Sequence, residues 1–352
     1  MYTVAGGSAA EWHIANDSVV YDSRDGGCTW TQSFNLPDTP PQGGGSYTDA
    51  AIVALASSQH GERSYALIAN QARDFSVAVQ KQGSSDWDIY PVTLTGGPAA
   101  SGVVRFVVAP SDPEVVYLAV GTLWVPSATG YELYRSTDAA RSWELVKHSP
   151  FPGSPTLSVV DTSCAAGSDQ CFTGFQGLTV DPLRAETLWS SNSSILNSTD
   201  GGTSWRTSYT PPSAMGAVAA IDVAGSGDAA RVAAFGLWRL AWSVDGGETW
   251  ALRDSPVRND ETGGSGPAAP ESVASLERNE AFVTVSPSGS YGHSNVQLLT
   301  RGTWTNIAPR SLDCPADDGA CLIGASSVAG EGYFALVRDG TALMRFQPRR
   351  GR

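Results

Sequence analysis

Ser198-Thr-Asp200-Gly-Gly202-Thr-Ser204-Trp205 is an octapeptide that this chain writes four times. The other copies are Ser23-Arg-Asp25-Gly-Gly27-Cys-Thr29-Trp30, Ser136-Thr-Asp138-Ala-Ala140-Arg-Ser142-Trp143 and Ser243-Val-Asp245-Gly-Gly247-Glu-Thr249-Trp250. The order of residues suits a tight turn. An Asp carboxylate accepts hydrogen bonds from backbone N–H groups a few residues on, Gly supplies positive φ, and Trp is a large apolar plug with one N–H to satisfy. Tryptophan alone recurs more widely, at Trp30, Trp87, Trp143, Trp205, Trp250 and Trp304. A repeat of this period means one structural unit copied around a ring or along a rod.

Working outward from the octapeptides, the clearest unit runs from Gly102 to Val146. Val103 to Val108 is a continuous apolar run, as expected of a strand buried on both faces. Asp112-Pro113 turns the chain into Val115 to Val120, followed by Glu132 to Ser136 and Trp143 to Val146, four strands in a meander. The same order returns from Gly177 to Thr207 and from Ala217 to Leu252, more loosely from Ser272 to Ile307, and earlier from Ala51 to Val92, where Asp86-Trp87 is the remnant of an octapeptide. A first unit occupies the start of the chain, and a last one, from Ser326 to Phe346, has three strands. The expectation is an all-β, seven-bladed β-propeller of four-stranded antiparallel blades, forming a single domain over 1–352. Six blades are the alternative. The last blade is either incomplete or closed by a strand from before Met1.

The octapeptides resemble the Asp-box, or BNR repeat, of sialidases, xyloglucanases, sortilin-type receptors and the photosystem II assembly factor. Three copies match in full, and the remaining one has Ala140 where the repeat has Gly. The resemblance implies that each box is the turn between the third and fourth strands of a blade. Asp25, Asp138, Asp200 and Asp245 are then turn locks, with Trp30, Trp143, Trp205 and Trp250 as their plugs, rather than metal ligands or acid–base groups. It also puts the long loops, including Pro37–Thr48, Thr122–Tyr131, Pro150–Phe175, Asp254–Glu271, Ser286–Ser294 and Pro309–Ile323, together on the opposite face. Ligands bind where variable loops cluster on a rigid frame, so that face is the expected working surface.

Composition narrows the choice of partner. Asp plus Glu number 35 against 22 Lys plus Arg, a formal charge of −13, which repels phosphate backbones and anionic lipid. Nucleic acid is not an expected partner, and no apolar run is long enough for membrane insertion. No signal peptide follows Met1. The cysteines nevertheless point to export. Cys164/Cys171 and Cys314/Cys321 are two C-x6-C pairs at the same place in their repeats, and structural zinc favours closer spacing. Two short disulfides in an extracellular, periplasmic or cell-surface protein are expected, with Cys28 a small, partly buried thiol.

Catalytic signatures are thin. The sialidase pattern needs an Arg-Ile-Pro segment and three arginines; no Arg-Ile-Pro occurs, and only Arg105 and Arg278 sit on inner strands. Xyloglucanases build their cleft between two seven-bladed rings, and this chain is long enough for one. His13, His60, His148 and His293 show no metal spacing, so no metal or cofactor is expected. Glycoside hydrolysis needs two facing carboxyl groups, for which Asp260, Glu261, Asp317 and Asp318 are the candidates on the loop face. Trp124, Tyr131, Tyr209 and Tyr291, with His293, offer flat surfaces there for a sugar ring or a protein. The function expected is a binding module or scaffold for a glycan or protein partner, without catalysis. A sialidase- or xyloglucanase-like glycoside hydrolase or lyase is the alternative.

Overall fold

The computed structural model describes residues 3–6, 10–15, 18–37, 50–58, 61–70, 74–94, 103–121, 131–149, 177–191, 194–212, 218–236, 239–254, 272–275, 282–286, 295–300, 303–306, 322–328, 332–337 and 343–346. Within them the chain folds as successive antiparallel meanders. The first sheet contains β1 Thr3–Gly6, β2 Trp12–Ala15, β3 Val19–Ser23 and β4 Thr31–Asn35. The second contains β5 Ala51–Ser57, β6 Arg63–Ala69, β7 Phe75–Lys81 and β8 Trp87–Val92. The third contains β9 Val103–Val108, β10 Val116–Gly121, β11 Tyr131–Ser136 and β12 Glu144–Ser149.

The fourth sheet is β13 Gly177–Asp181, β14 Arg184–Ser191, β15 Ile195–Ser198 and β16 Arg206–Tyr209. The fifth is β17 Val218–Ala224, β18 Arg231–Gly236, β19 Arg239–Ser243 and β20 Ala251–Asp254. The sixth is β21 Ser272–Ser275, β22 Phe282–Ser286, β23 Asn295–Thr300 and β24 Thr303–Asn306. The last sheet, β25 Leu322–Val328, β26 Gly332–Val337 and β27 Leu343–Phe346, has three strands among the described residues. First strands neighbour first strands: β1 meets β5, β5 meets β9, and so on to β21 and β25, and β25 meets β1.

The core lies between the sheets. In β6, Tyr65 and Leu67 pack toward the third sheet with Phe106, Leu118 and Tyr134, while Ala66 and Ile68 pack toward the first with Val20 and Phe34. In β10, Val116, Leu118 and Val120 face the second sheet, and Tyr117 and Ala119 face the fourth. This alternation with period two, buried on both sides, is why the strands read as unbroken apolar runs. Each fully buried large side chain contributes about 1.5–3 kcal/mol, so the sheet-to-sheet layers dominate stability.

One local expectation needs correcting, and the octapeptide remnant shows what its missing residues do. Cys28 is exposed, because the variable position between Gly27 and Thr29 turns outward from its octapeptide; it is a free thiol. The Asp86 remnant does not rebuild the octapeptide lock. Its carboxylate accepts from Ser85 Oγ at 3.2 Å, one residue back, and the turn is carried instead by Gly83 at φ +77° and the Ser84 hydroxyl, which accepts from Asp86 N–H at 3.0 Å.

Candidate functional site

The four octapeptides join the third and fourth strands of their sheets. In the copy at Ser198, the Asp200 Oδ1 accepts the Ser204 N–H at 2.9 Å and Oδ2 accepts the Ser204 hydroxyl at 2.6 Å. Ser198 Oγ donates to Asp200 Oδ1 at 2.9 Å and accepts the Gly202 N–H at 2.8 Å. The Trp205 indole N–H donates to the Gly202 carbonyl at 2.8 Å. The same bonds recur around Asp25 and Asp245.

Those bonds favour the ionised carboxylate. At Asp25 and Asp245 the hydroxyl and amide of Thr29 and Thr249 lower the pKa to about 2. At Asp138 and Asp200 slight burial pushes the carboxyl up, but the hydroxyl and amide of Ser142 and Ser204 outweigh it, and both end below the usual range. All four carboxylates are therefore occupied in closing turns.

The copy with alanines keeps the geometry and loses one bond. Ala139 and Ala140 adopt φ +59° and +66°, the region that Gly201 and Gly202 occupy at +70° and +93°. Ser142 still bonds Asp138, at 2.9 Å through its N–H and 2.6 Å through its hydroxyl. The Trp143 indole N–H, however, is buried and has no hydrogen-bond partner among the described residues.

One constellation has the residue types of a nucleophilic triad. His13 Nδ1 lies 2.7 Å from Asp22 Oδ1, and its Nε2 lies 2.7 Å from Ser64 Oγ. Gln80 Nε2 donates to the other Asp22 oxygen at 3.3 Å. His13, Asp22 and Ser64 are 2%, 7% and 3% exposed, so no substrate reaches the hydroxyl. Burial pushes the Asp22 carboxyl up; His13, Ser33 and Gln80 outweigh it and hold it below the usual range. The group ties β2 and β3 to β6 and β7 and acts as a clasp.

Among the described residues, an open cleft lies between the fifth and sixth sheets. It measures about 410 Å³ and is lined by Arg239, Leu252, Arg253, Asp254 and Trp304. Arg239 opens β19 and Asp254 ends β20, and the two strands pair there, with Arg239 Nε donating to Asp254 Oδ1 at 2.9 Å. Trp304 on β24 donates its indole N–H to the Asp254 carbonyl at 3.0 Å and packs edge-on against Phe235 at 6.4 Å. Arg253 is exposed, and its side chain has no ion pair or hydrogen bond among the described residues. Arg239 follows the link between second and third strands and Asp254 precedes the link to the next sheet, so these strand ends are on the edge opposite the octapeptides, whereas Trp304 stands beside the β23–β24 turn, at the octapeptide position of the sixth sheet.

Trp124, Tyr291, His293, Asp260, Glu261, Asp317, Asp318, Arg278 and the cysteines Cys164, Cys171, Cys314 and Cys321 lie outside the described residues. Tyr131 begins β11, its backbone opposite Gly121 and Ser149, and its side chain is likewise outside them. Tyr209 stacks on Trp250 at 5.3 Å with the rings 17° apart. Arg105 lies on the inner strand β9, where burial lowers its pKa. Sequence reasoning passed over Arg239, Arg253 and the binding potential of Trp304. A usable signal existed for the last: Trp304 follows Thr300-Arg-Gly-Thr303, with no octapeptide to occupy its N–H.

Among the described residues no cluster of three or more His, Cys, Asp or Glu side chains could hold a metal ion. Among the same residues no helix is long and apolar enough to cross a membrane.

No protein-family model matches the chain, and no curated protein matches it either. Solved structures do. The GH74 xyloglucanase from Xanthomonas campestris is similar at 14% identity and TM-score 0.61, over 97% of this chain and 51% of that one. YCF48 from Cyanidioschyzon merolae is similar at 12% identity and TM-score 0.58, over 99% and 95%. A structure of YCF48 bound to D1 peptide gives 12% identity and TM-score 0.58, over 98% and 92%. At these identities the likeness shows the fold alone, which is a β-propeller.

Proposed function

We propose that this chain is an exported, non-catalytic binding module. In this reading it is a seven-bladed propeller of the Asp-box type that takes a glycan or protein partner on the face carrying its long loops. The seven sheets among the described residues and the contact of β25 with β1 support the blade count. The recurrent Asp-to-Ser/Thr turn bonds support the Asp-box assignment. Disulfides Cys164–Cys171 and Cys314–Cys321 would brace two of the long loops, and they are the reason for placing the protein outside the cytoplasm.

The observation that carries the binding reading is the make-up of the cleft. Among the described residues it has an aromatic wall, an exposed guanidinium, and one carboxylate, which is paired with Arg239. Such a lining suits recognition better than hydrolysis, which uses two facing carboxyl groups. The peptide-bound YCF48 structure makes a protein segment a reasonable partner class for a ring of this shape. A hydrolase reading draws on the xyloglucanase likeness and on Asp260 and Glu261, which follow shortly after Asp254 in the chain.

A glycan array with the purified protein, run beside a hydrolysis screen on the same sugars, tests the reading. Binding without turnover is expected. Turnover would replace it with the hydrolase and make Asp260, Glu261, Asp317 and Asp318 the first residues to change. Silence in both would remove the glycan and leave the protein partner.

A further inference from the structure

The cleft between β20 and β24 carries more information than its position. Its tryptophan is fixed: the indole N–H is held by the Asp254 carbonyl, and Phe235 packs against the ring. The ring is half-buried against the cluster of Phe235, Leu240 and Leu299, and the part of an indole left accessible suits the C–H face of a pyranose. Arg239 is held by Asp254, but Arg253 beside it is exposed and its side chain has no partner among the described residues. A guanidinium presents paired donors that match a carboxylate in bidentate fashion. About 410 Å³ is room for a small ligand group rather than for a folded element.

The geometry points to a subsite for a sugar residue bearing one carboxylate, a hexuronate within an otherwise neutral oligosaccharide, with its ring against Trp304 and its carboxylate on Arg253. The inference rests on the glycan half of the proposed function and specifies its ligand. The net charge of −13 selects against polyanions, whether acidic peptides or densely charged glycans, because each further negative charge meets the field of the whole protein. One carboxylate beside one available guanidinium gains the local pairing and incurs least of that repulsion. A neutral sugar would leave Arg253 unused.

Calorimetric titration tests this with three probes: a tetrasaccharide carrying one glucuronate, the same tetrasaccharide with its carboxyl reduced to the alcohol, and an acidic octapeptide. The acidic sugar is expected to bind at least tenfold more tightly than the reduced one. Arg253→Gln, at an exposed position, should abolish that difference. Trp304→Ala should weaken both sugars at least tenfold. Since Trp304 also packs on Phe235, Trp304→Phe with a thermal melt separates lost stacking from lost folding. Equal affinity for the two sugars, or a preference that survives Arg253→Gln, would overturn the inference and leave glycan binding standing. Peptide binding with both sugars silent would overturn the inference and assign the cleft to a protein partner. A silent glycan array would overturn the inference together with the glycan reading beneath it.

Discussion

His13 in the first sheet bonds Ser64 in the second, Nε2 to Oγ at 2.7 Å, across a gap of 51 residues in sequence. With a proton on Nδ1 the ring donates to Asp22, and Nε2 accepts from the serine hydroxyl. Removing the imidazole leaves a buried carboxylate oxygen and a buried hydroxyl without it. His13→Ala should therefore cost about 2–4 kcal/mol in denaturant unfolding. Ser64→Ala, which deletes a neutral partner, should cost about 1 kcal/mol. Equal and negligible losses would show that the clasp is ornamental.

A second inter-sheet bond repeats one unit along. The Tyr65 hydroxyl donates to the Pro113 carbonyl, and the Tyr117 hydroxyl donates to the Ala185 carbonyl at 2.9 Å. Burial raises the pKa of both phenols, so they remain protonated donors throughout the neutral range. Tyr65→Phe and Tyr117→Phe should each lower stability by about 1–2 kcal/mol. The double variant should lose their sum to within about 0.5 kcal/mol, since the bonds span different interfaces. Strong coupling in a double-mutant cycle would contradict sheet-by-sheet accounting.

The two turn chemistries predict opposite tolerances. A Cβ on Gly202 would stand 2.5 Å from Leu133 Cδ2, at φ +93°, so Gly202→Ala should cost more than about 2 kcal/mol. Ala140→Gly relieves a left-handed alanine but deletes a fully buried methyl, worth about 0.8 kcal/mol. The gain and the loss are of similar size. Its midpoint should shift by less than about 1 kcal/mol in either direction.

Acid should loosen the octapeptide turns. Asp25 and Asp245 titrate near 2 when folded, and Asp138 and Asp200 are also held below the usual carboxylate range. A lowered folded pKa means the stabilisation is present above the unfolded value of about 4 and is lost as pH falls toward 2. Thermal melts between pH 6 and pH 2 should show a decline concentrated below pH 4. Asp200→Asn should make that decline shallower while lowering stability at pH 6. An unchanged slope would remove the turn carboxylates as its cause.

Export and the loop braces are tested together by mass spectrometry of alkylated, non-reduced peptides. Cys164 should be linked to Cys171 and Cys314 to Cys321, with Cys28 alkylated. Its exposed thiol should react without denaturant. Four alkylated thiols at the paired positions would withdraw both the braces and the argument for export.

What the sequence by itself determined is local. The bonds of each octapeptide join residues no more than four apart, and the strands are runs with period-two burial, so turn, strand order and repeat are all written in short windows. Even so, tolerance of Ala139 and Ala140 at positive φ depends on the packing of their methyls, which no window contains. Only the tertiary structure decided which side chains meet across sheets. It brought His13 to Ser64 and Tyr117 to Ala185, and it turned the Trp304 indole away from its own strand pair to Asp254. That last step made one of six repeat tryptophans the wall of a cleft. The physical reason is that inter-sheet contacts depend on twist, register and neighbour order, which are properties of the assembled ring rather than of any one repeat.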